Sequence, residues 1–187
     1  MTDTEDAELL AHYLERGHEA WNVSLEAAWL DYELRAFVAS KLPQGRPIAV
    51  LNVGIGVGLF DDWLCHVVGT SAAASSVTSV DRDPTICRLF ALRQRRERHP
   101  HPARILCCDV RDGALGAAKF DLITVVGSTL AEGGDRGETL RALQRHVAPG
   151  GELLVAEVGQ GAHGDRVRTC GDVWLACSTR AVLPPST

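Results

Sequence analysis

Lysine is almost missing from this chain. Of its 19 Lys and Arg residues only Lys41 and Lys119 are Lys, and the other seventeen are Arg. Beside so much Ala and Gly, that imbalance reads as GC-rich coding rather than as chemistry. The net charge is −5, which argues against a broad nucleic-acid surface, since phosphate contacts need clustered cations. No apolar run approaches the roughly 18 residues that cross a bilayer. Met1 to Asp6 is acidic and polar, unlike a secretory signal, so the expected location is the cytoplasm. The six cysteines, Cys65, Cys87, Cys107, Cys108, Cys170 and Cys177, form no C-x-x-C pair and no finger spacing. Most fall in apolar segments, where Cys is expected as a small buried hydrophobe, and no metal site is expected.

What the chain does have is one organising stretch, Ile48-Ala49-Val50-Leu51-Asn52-Val53-Gly54-Ile55-Gly56-Val57-Gly58-Leu59-Phe60. Its uncharged, largely apolar start suits a strand buried on both faces. Three alternating glycines follow, where the backbone can turn sharply and carry no side chain toward a ligand. Leu59 to Val68 has helical spacing, so the turn would present free amides at a helix N-terminus. The dinucleotide pattern G-x-G-x-x-G needs its third glycine one residue later, where Leu59 stands. A phosphate loop needs Lys and Ser/Thr after its last glycine, and here Leu59 and Phe60 follow.

The rest alternates in the same way. Ala7 to Arg16 and Ser24 to about Lys41 are expected as two helices before the first strand. Asp61 and Asp62 are explained by the dipole of the helix they begin. Ser76 to Val80 is a second strand ending at Asp81, and Asp83-Pro84 starts a helix by capping. The basic end of that helix, Arg93 to Arg98, reads as solvated. Ala103 to Cys108 is a third strand ending at Asp109, and Phe120 to Val126 a fourth, running into Gly127-Ser128-Thr129. Asp135 to Val147 is a helix stopped by Ala148-Pro149-Gly150-Gly151. Glu152 to Val158 is a fifth strand. Arg166 to Cys170 and Val173 to Val182 form a hairpin about Gly171-Asp172.

In that order, G-x-G-x-G after a buried strand, acids after strands two and three, and Pro-Gly-Gly before strand five resemble the class I S-adenosylmethionine-dependent methyltransferases, over about residues 47 to 158. The resemblance implies an α/β fold: a doubly wound, mostly parallel seven-stranded sheet with helices on both faces. Residues 1–187 would be one domain, with an N-terminal helical cap (1–45), a cofactor core (46–158) and a minimal C-terminal hairpin (159–187). The implied cofactor is S-adenosyl-L-methionine, leaving as S-adenosyl-L-homocysteine. Its contacts would come from Asn52, Gly54, Ile55, Gly56 and Gly58 at the turn. Asp81 would accept the ribose hydroxyls, with Arg82 beside it. Asp109 and the amide of Val110 would meet the adenine, and Gly127 and Ser128 follow strand four. Asn52 stands where the family often has an acid.

A small-molecule acceptor would be methylated on N or O, as in secondary metabolism. Positioning and desolvation would do most of the work, with a base if a hydroxyl is the acceptor. His163, Glu157 and His18 are the candidate bases, and Tyr13, Trp21 and Thr129 the candidate acceptor contacts. A second copy of the chain is an expected partner; a membrane and nucleic acid are not. The alternative is a non-catalytic cofactor-binding protein or partner subunit on the same fold.

Overall fold

The computed structural model describes residues 4, 7–9, 11, 25–127, 130, 135–158, 166–170 and 173–178. The side chains of 25–27, 157, 158, 166–170 and 173–178 stand outside that description. Five strands make the parallel part of the sheet: β1 Ala49–Val53, β2 Ser76–Asp81, β3 Arg104–Cys107, β4 Phe120–Val126 and β5 Val147–Val158. They lie in the order β3-β2-β1-β4-β5. The parallel part therefore has five strands, not seven. β6 Arg166–Cys170 and β7 Val173–Ser178 join antiparallel beside β5, with β7 inside and β6 at the edge.

Four helices are described: α1 Leu25–Ala39, α2 Leu59–Ser71, α3 Pro84–Arg96 and α4 Arg136–Gln144. Their starts follow the local chemistry. Asp83 accepts from the Thr85 amide at 2.7 Å, with Pro84 next, and so caps α3. Asp135 caps α4 through the Glu138 amide at 2.8 Å. α2 has no side-chain cap; it starts from Gly58, in the left-handed region at φ 76°.

Alternate residues of the buried strands feed two cores. On one face Val50, Val77, Leu122 and Leu154 pack under α1 and α2. On the other, Leu51, Val53, Val80, Ile123 and Val155 pack with Leu140 and Leu143 of α4. Thr4, residues 7–9 and Ala11 are helical, and Leu9 packs with Leu89 and Leu92 of α3. No helix among the described residues is long and apolar enough to cross a membrane.

One boundary differs in kind from the sequence expectation. α4 ends at Gln144, before Pro-Gly-Gly, and Ala148 to Gly151 lie inside β5. Between the pairs Phe120↔Val147 and Leu122↔Glu152, β4 advances by two residues (122 − 120) and β5 by five (152 − 147). The Pro and glycines are spent on that bulge, where ladder bonds are not needed.

The chain runs outward from β1 through β2 to β3, then returns across to β4. Such a reversal leaves a crevice at the C-terminal ends of the strands. The residues after β1, β2 and β3 all open there.

Candidate functional site

The glycine turn between β1 and α2 is held from several directions. The Gly54 amide donates to Val80 O at 2.8 Å, and the Ile55 amide to Asp81 Oδ2 at 2.9 Å. The other carboxylate oxygen of Asp81 accepts the Asp83 amide at 2.9 Å. One side chain at the end of β2 therefore ties the turn to the start of α3. From α3 itself, Arg93 Nη1 donates to Val57 O at 3.1 Å and Nε to Glu97 at 3.1 Å, while Nη2 pairs with Asp62. Arg93 is not part of a solvated helix end; it clasps the turn. Arg95 and Arg96 are exposed.

Two of the glycines are glycines for different reasons. Gly56 has φ 56° and open space around the place of a Cβ, so backbone conformation alone demands it. A Cβ on Gly58 would lie 2.5 Å from Phe90 Cδ2. Its place is set by α3 packing against the turn as well as by its positive φ.

In front of the turn lies a crevice of about 100 Å³. Val53, Gly54, Val80, Asp81 and Arg82 form one wall, Cys108, Asp109, Val110 and Arg111 another, and Thr139 of α4 a third. Asp81 and Asp109 therefore reach one hollow beside the turn, from neighbouring strands. Asp109 caps the single 3₁₀ turn Val110–Asp112. Its Oδ1 accepts from Arg111 N and Nε, each at 2.9 Å, and its Oδ2 from Arg111 Nη2 at 2.6 Å. This fork is the strong, bidentate kind of pair. The Arg111 hydrogen bond holds the Asp109 carboxyl down at about 2. As it stands, Asp109 Oδ1 is filled and Oδ2 keeps one acceptor site.

Behind the turn is a polar layer inside the sheet. Asn52, Ser79 and Thr124 are register neighbours on the three central strands. They share the face of Val50, Val77 and Leu122, one layer nearer the strand ends. Each is fully buried, and Asp61 of α2, equally buried, roofs them. Thr124 Oγ1 donates to Asn52 Oδ1 at 2.8 Å. Asn52 Nδ2 donates to Asp61 Oδ1 at 3.0 Å and to Gly54 O at 3.2 Å. Ser79 Oγ donates to the same Asp61 Oδ1 at 2.5 Å. Among the described residues Asp61 Oδ2 has no hydrogen-bond partner. Desolvation, only partly offset by these hydrogen bonds, pushes the Asp61 carboxyl up to about 7.

Two expectations are corrected here. Asn52 does not face the crevice: it has no exposed surface, and both ends of its amide are used inside the fold. The helix dipole does not account for Asp61 by itself: the residue lies in the first turn of α2 and is a buried node.

Gly127 adopts φ 79° with open space at the place of a Cβ, and its amide donates to Ala156 O at 2.9 Å. Glu157 belongs to β5 and pairs with Ala176, its side chain standing outside the description. Tyr13, His18, Trp21, Ser128, Thr129 and His163 lie outside the described residues. Sequence reasoning overlooked Asp61, Arg93 and Arg111. A signal for the first existed: Asn52, Ser79 and Thr124 are polar residues inside otherwise apolar strands, and a polar row in a core needs a partner.

A family model for a methyltransferase domain matches residues 50–151. Among curated proteins no sequence match is found. Solved structures share the fold. The [4+2]-cyclase SpnF superposes with a TM-score of 0.61 at 22% identity, over 87% of this chain and 60% of that one. A putative sarcosine dimethylglycine methyltransferase from Galdieria sulphuraria gives 0.63 at 14%, over 83% and 60%. A SAM-dependent methyltransferase from Thiobacillus denitrificans, in complex with S-adenosyl-L-homocysteine, gives 0.51 at 22%, over 67% and 48%. The chain thus spans between about half and 60% of the length of these neighbours.

Proposed function

The chain belongs to the methyltransferase domain family, and from that premise we propose that it binds S-adenosyl-L-methionine in the crevice before the glycine turn and methylates an N or O atom of a small molecule. The observation that carries this reading is the placement of Asp81. Its carboxylate accepts the Ile55 amide from the turn at 2.9 Å and lines the same crevice as Asp109. Each Asp81 oxygen accepts one backbone N–H in the described structure, which leaves each with acceptor capacity for a hydroxyl. A ribose diol offers two such donors.

The residues fit the cofactor at that end. The turn gives a side-chain-free approach at Gly56, where the place of a Cβ is open. Asp109 and the backbone of Val110 are suited to an adenine edge once Arg111 releases the carboxylate. When bound, the cofactor supplies a methyl group made electrophilic by its sulfonium. The chain's own part is to orient and to exclude water. Val53, Val80 and Val110 make the crevice partly apolar. His163, Glu157 and His18 are the proposed bases for a hydroxyl acceptor, and Tyr13, Trp21 and Thr129 the proposed acceptor contacts. A single domain, a cytoplasmic location, a homodimer and a place in secondary metabolism belong to the same proposal.

Calorimetry with S-adenosyl-L-homocysteine tests the reading. The wild-type chain should bind, and Asp81→Ala should lose detectable binding while its circular dichroism is retained. A wild-type chain that fails to bind, or a variant with unchanged affinity, would overturn it.

One observation favours a second reading. Arg111 engages both oxygens of Asp109, Oδ1 twice and Oδ2 once, which narrows the acceptor left for an adenine amine to one lone pair. A binding protein or partner subunit without methyl transfer could live with that, and the fold is also that of a cyclase. A radiolabelled methyl-transfer assay over small amines, phenols and carboxylates separates the two. Label transfer supports the enzyme; binding without transfer across the panel favours the alternative.

A further inference from the structure

We propose that Asp61 is a positioning residue for the glycine turn, acting through Asn52 on the Gly54 carbonyl, and that its proton decides how strongly the crevice prefers a cationic ligand over a neutral one. The proposal rests on the reading of the crevice as an S-adenosylmethionine site.

The geometry begins with a choice of amide orientation. Thr124 can donate or accept, so it alone cannot tell the oxygen of Asn52 from its nitrogen. Asp61 Oδ1 can. Being an acceptor toward both Asn52 and Ser79, it requires the Asn52 NH₂ on its own side. That same NH₂ then reaches Gly54 O at 3.2 Å, and Gly54 lines the crevice. Asp61 therefore stands two hydrogen bonds behind the surface a ligand would touch.

The second part concerns charge. Oδ1 accepts both hydrogen bonds, so the proton of a neutral Asp61 belongs on Oδ2, the oxygen without a partner. Among the described residues no cation offsets the ionised form. From the sheet, among the described residues, the neutral Asn52 and Ser79 reach it, with Thr124 behind Asn52. On α2 the titratable neighbours are Asp62, whose charge opposes that of Asp61, and Cys65. From α3, Arg93 and Glu97 face Asp62, as does His99 just beyond. Arg93 is committed to Asp62, Glu97 and Val57 O. Removing the Asp61 proton therefore leaves a negative charge in a fully buried layer directly behind the turn. Such a charge is felt more strongly there than in water.

A cation in the crevice is attracted to it, and by linkage the cation must help to expel the proton. S-adenosyl-L-methionine carries one net positive charge at neutral pH, whereas S-adenosyl-L-homocysteine carries none. The pair differs in charge while sharing nearly all its contacts. Ionised Asp61 would favour the methyl donor over the spent product, which is the direction a turnover needs.

The test is titration calorimetry of both ligands at pH 6 and pH 8, in two buffers of different ionisation enthalpy, on wild type, Asp61→Asn and Asp61→Leu. In wild type the preference for S-adenosyl-L-methionine should grow about tenfold from pH 6 to pH 8, with proton release on binding at pH 6. Asp61→Asn keeps the acceptor and the shape, so it should bind both ligands with a preference that no longer changes with pH. Asp61→Leu removes the acceptor and should weaken both ligands about tenfold or more. A wild type that binds both with a constant preference, or an Asp61→Asn variant that keeps the pH trend, overturns this inference alone. A wild type that binds neither ligand overturns the site reading, and the inference with it. The melting temperature of wild type and Asp61→Asn against pH reads the buried proton without any ligand.

Discussion

Two aspartates on opposite sides of one glycine turn have been driven apart. Behind the turn, Asp61 is buried beside neutral partners, and desolvation raises it to about 7. In front, Asp109 sits at the rim of the crevice, and Arg111 lowers it to about 2. The side chains are chemically identical; what differs is the loss of water on one side and a cation on the other. The rear is held by short strands in fixed register, so its hydrogen bonds cannot rearrange without moving the sheet. The front is held by a rotatable arginine fork, so it can. The rear reads as a platform, and the front as the part that answers a ligand.

The largest effect expected is at the joint between the two regions. Asp81 touches the turn from the front while its strand neighbour Ser79 belongs to the rear layer. Asp81→Ala should cost at least about a hundredfold in cofactor affinity, from two charge-assisted hydrogen bonds of about 1.5 kcal/mol or more each. Calorimetry reads it. If affinity instead survives there and collapses in Asn52→Ala, the weight lies on the platform and the comparison is inverted.

Next comes the pH dependence of stability. The folded-state value for Asp61 lies above its ordinary 3.8. The proton is thus held more tightly in the native state than in the unfolded one. This contribution is whole below about pH 4 and is lost as pH rises toward 7. Wild type should therefore lose stability over that range by up to about 1.4 kcal/mol for each pH unit. Asp61→Asn should lack that slope, so its urea midpoint should gain on wild type between pH 4 and pH 7. Parallel curves would mean that the carboxylate finds a counter-charge or water in solution.

How far the sequence anticipated this divides along the same line. The strands and the glycine turn were legible because burial pattern and turn chemistry are local signals; the crevice acids were placed by strand order and by the resemblance. Phe120–Val126 matches its expected bounds. The Pro-Gly-Gly segment was legible as an interruption but not as a bulge, because a bulge depends on the partner strand's register. Asn52 and Asp61 were misread for a deeper reason. Each has an adequate local explanation, as a site residue and as a dipole partner, and only the register of β1 against β2 and β4 puts them together. Arg93 was half legible: helical spacing can put it on the side of Ile86, Leu89 and Phe90, but nothing in a basic helix end shows that it reaches Val57.

A third experiment concerns packing between the regions. Gly58→Ala places a methyl group 2.5 Å from Phe90 Cδ2, at a residue with φ 76°. Left-handed backbone and overpacking together should cost about 2 to 3 kcal/mol, read from chemical denaturation. Adding Phe90→Leu should restore the packing part and leave the backbone part. Full recovery in the double variant would mean that Gly58 is glycine for space alone.

The smallest effect separates the front most cleanly. Arg111→Ala releases Asp109, whose carboxyl should climb from about 2 back toward its ordinary 3.8, as a carbon-detected NMR titration would show. The sign for stability follows. The Asp109 contribution is present above about pH 4 and lost as pH falls toward 2. The variant should therefore differ from wild type slightly at neutral pH and not at all at pH 2. Both groups are partly in solvent, so the difference at pH 7 should stay small. If the fork is a closure that a ligand must open, Arg111→Ala should also bind S-adenosyl-L-homocysteine a few fold more tightly, because the ligand no longer has to displace it. Weaker binding would place Arg111 among the groups that hold the ligand, and the front would then be as much a platform as the rear.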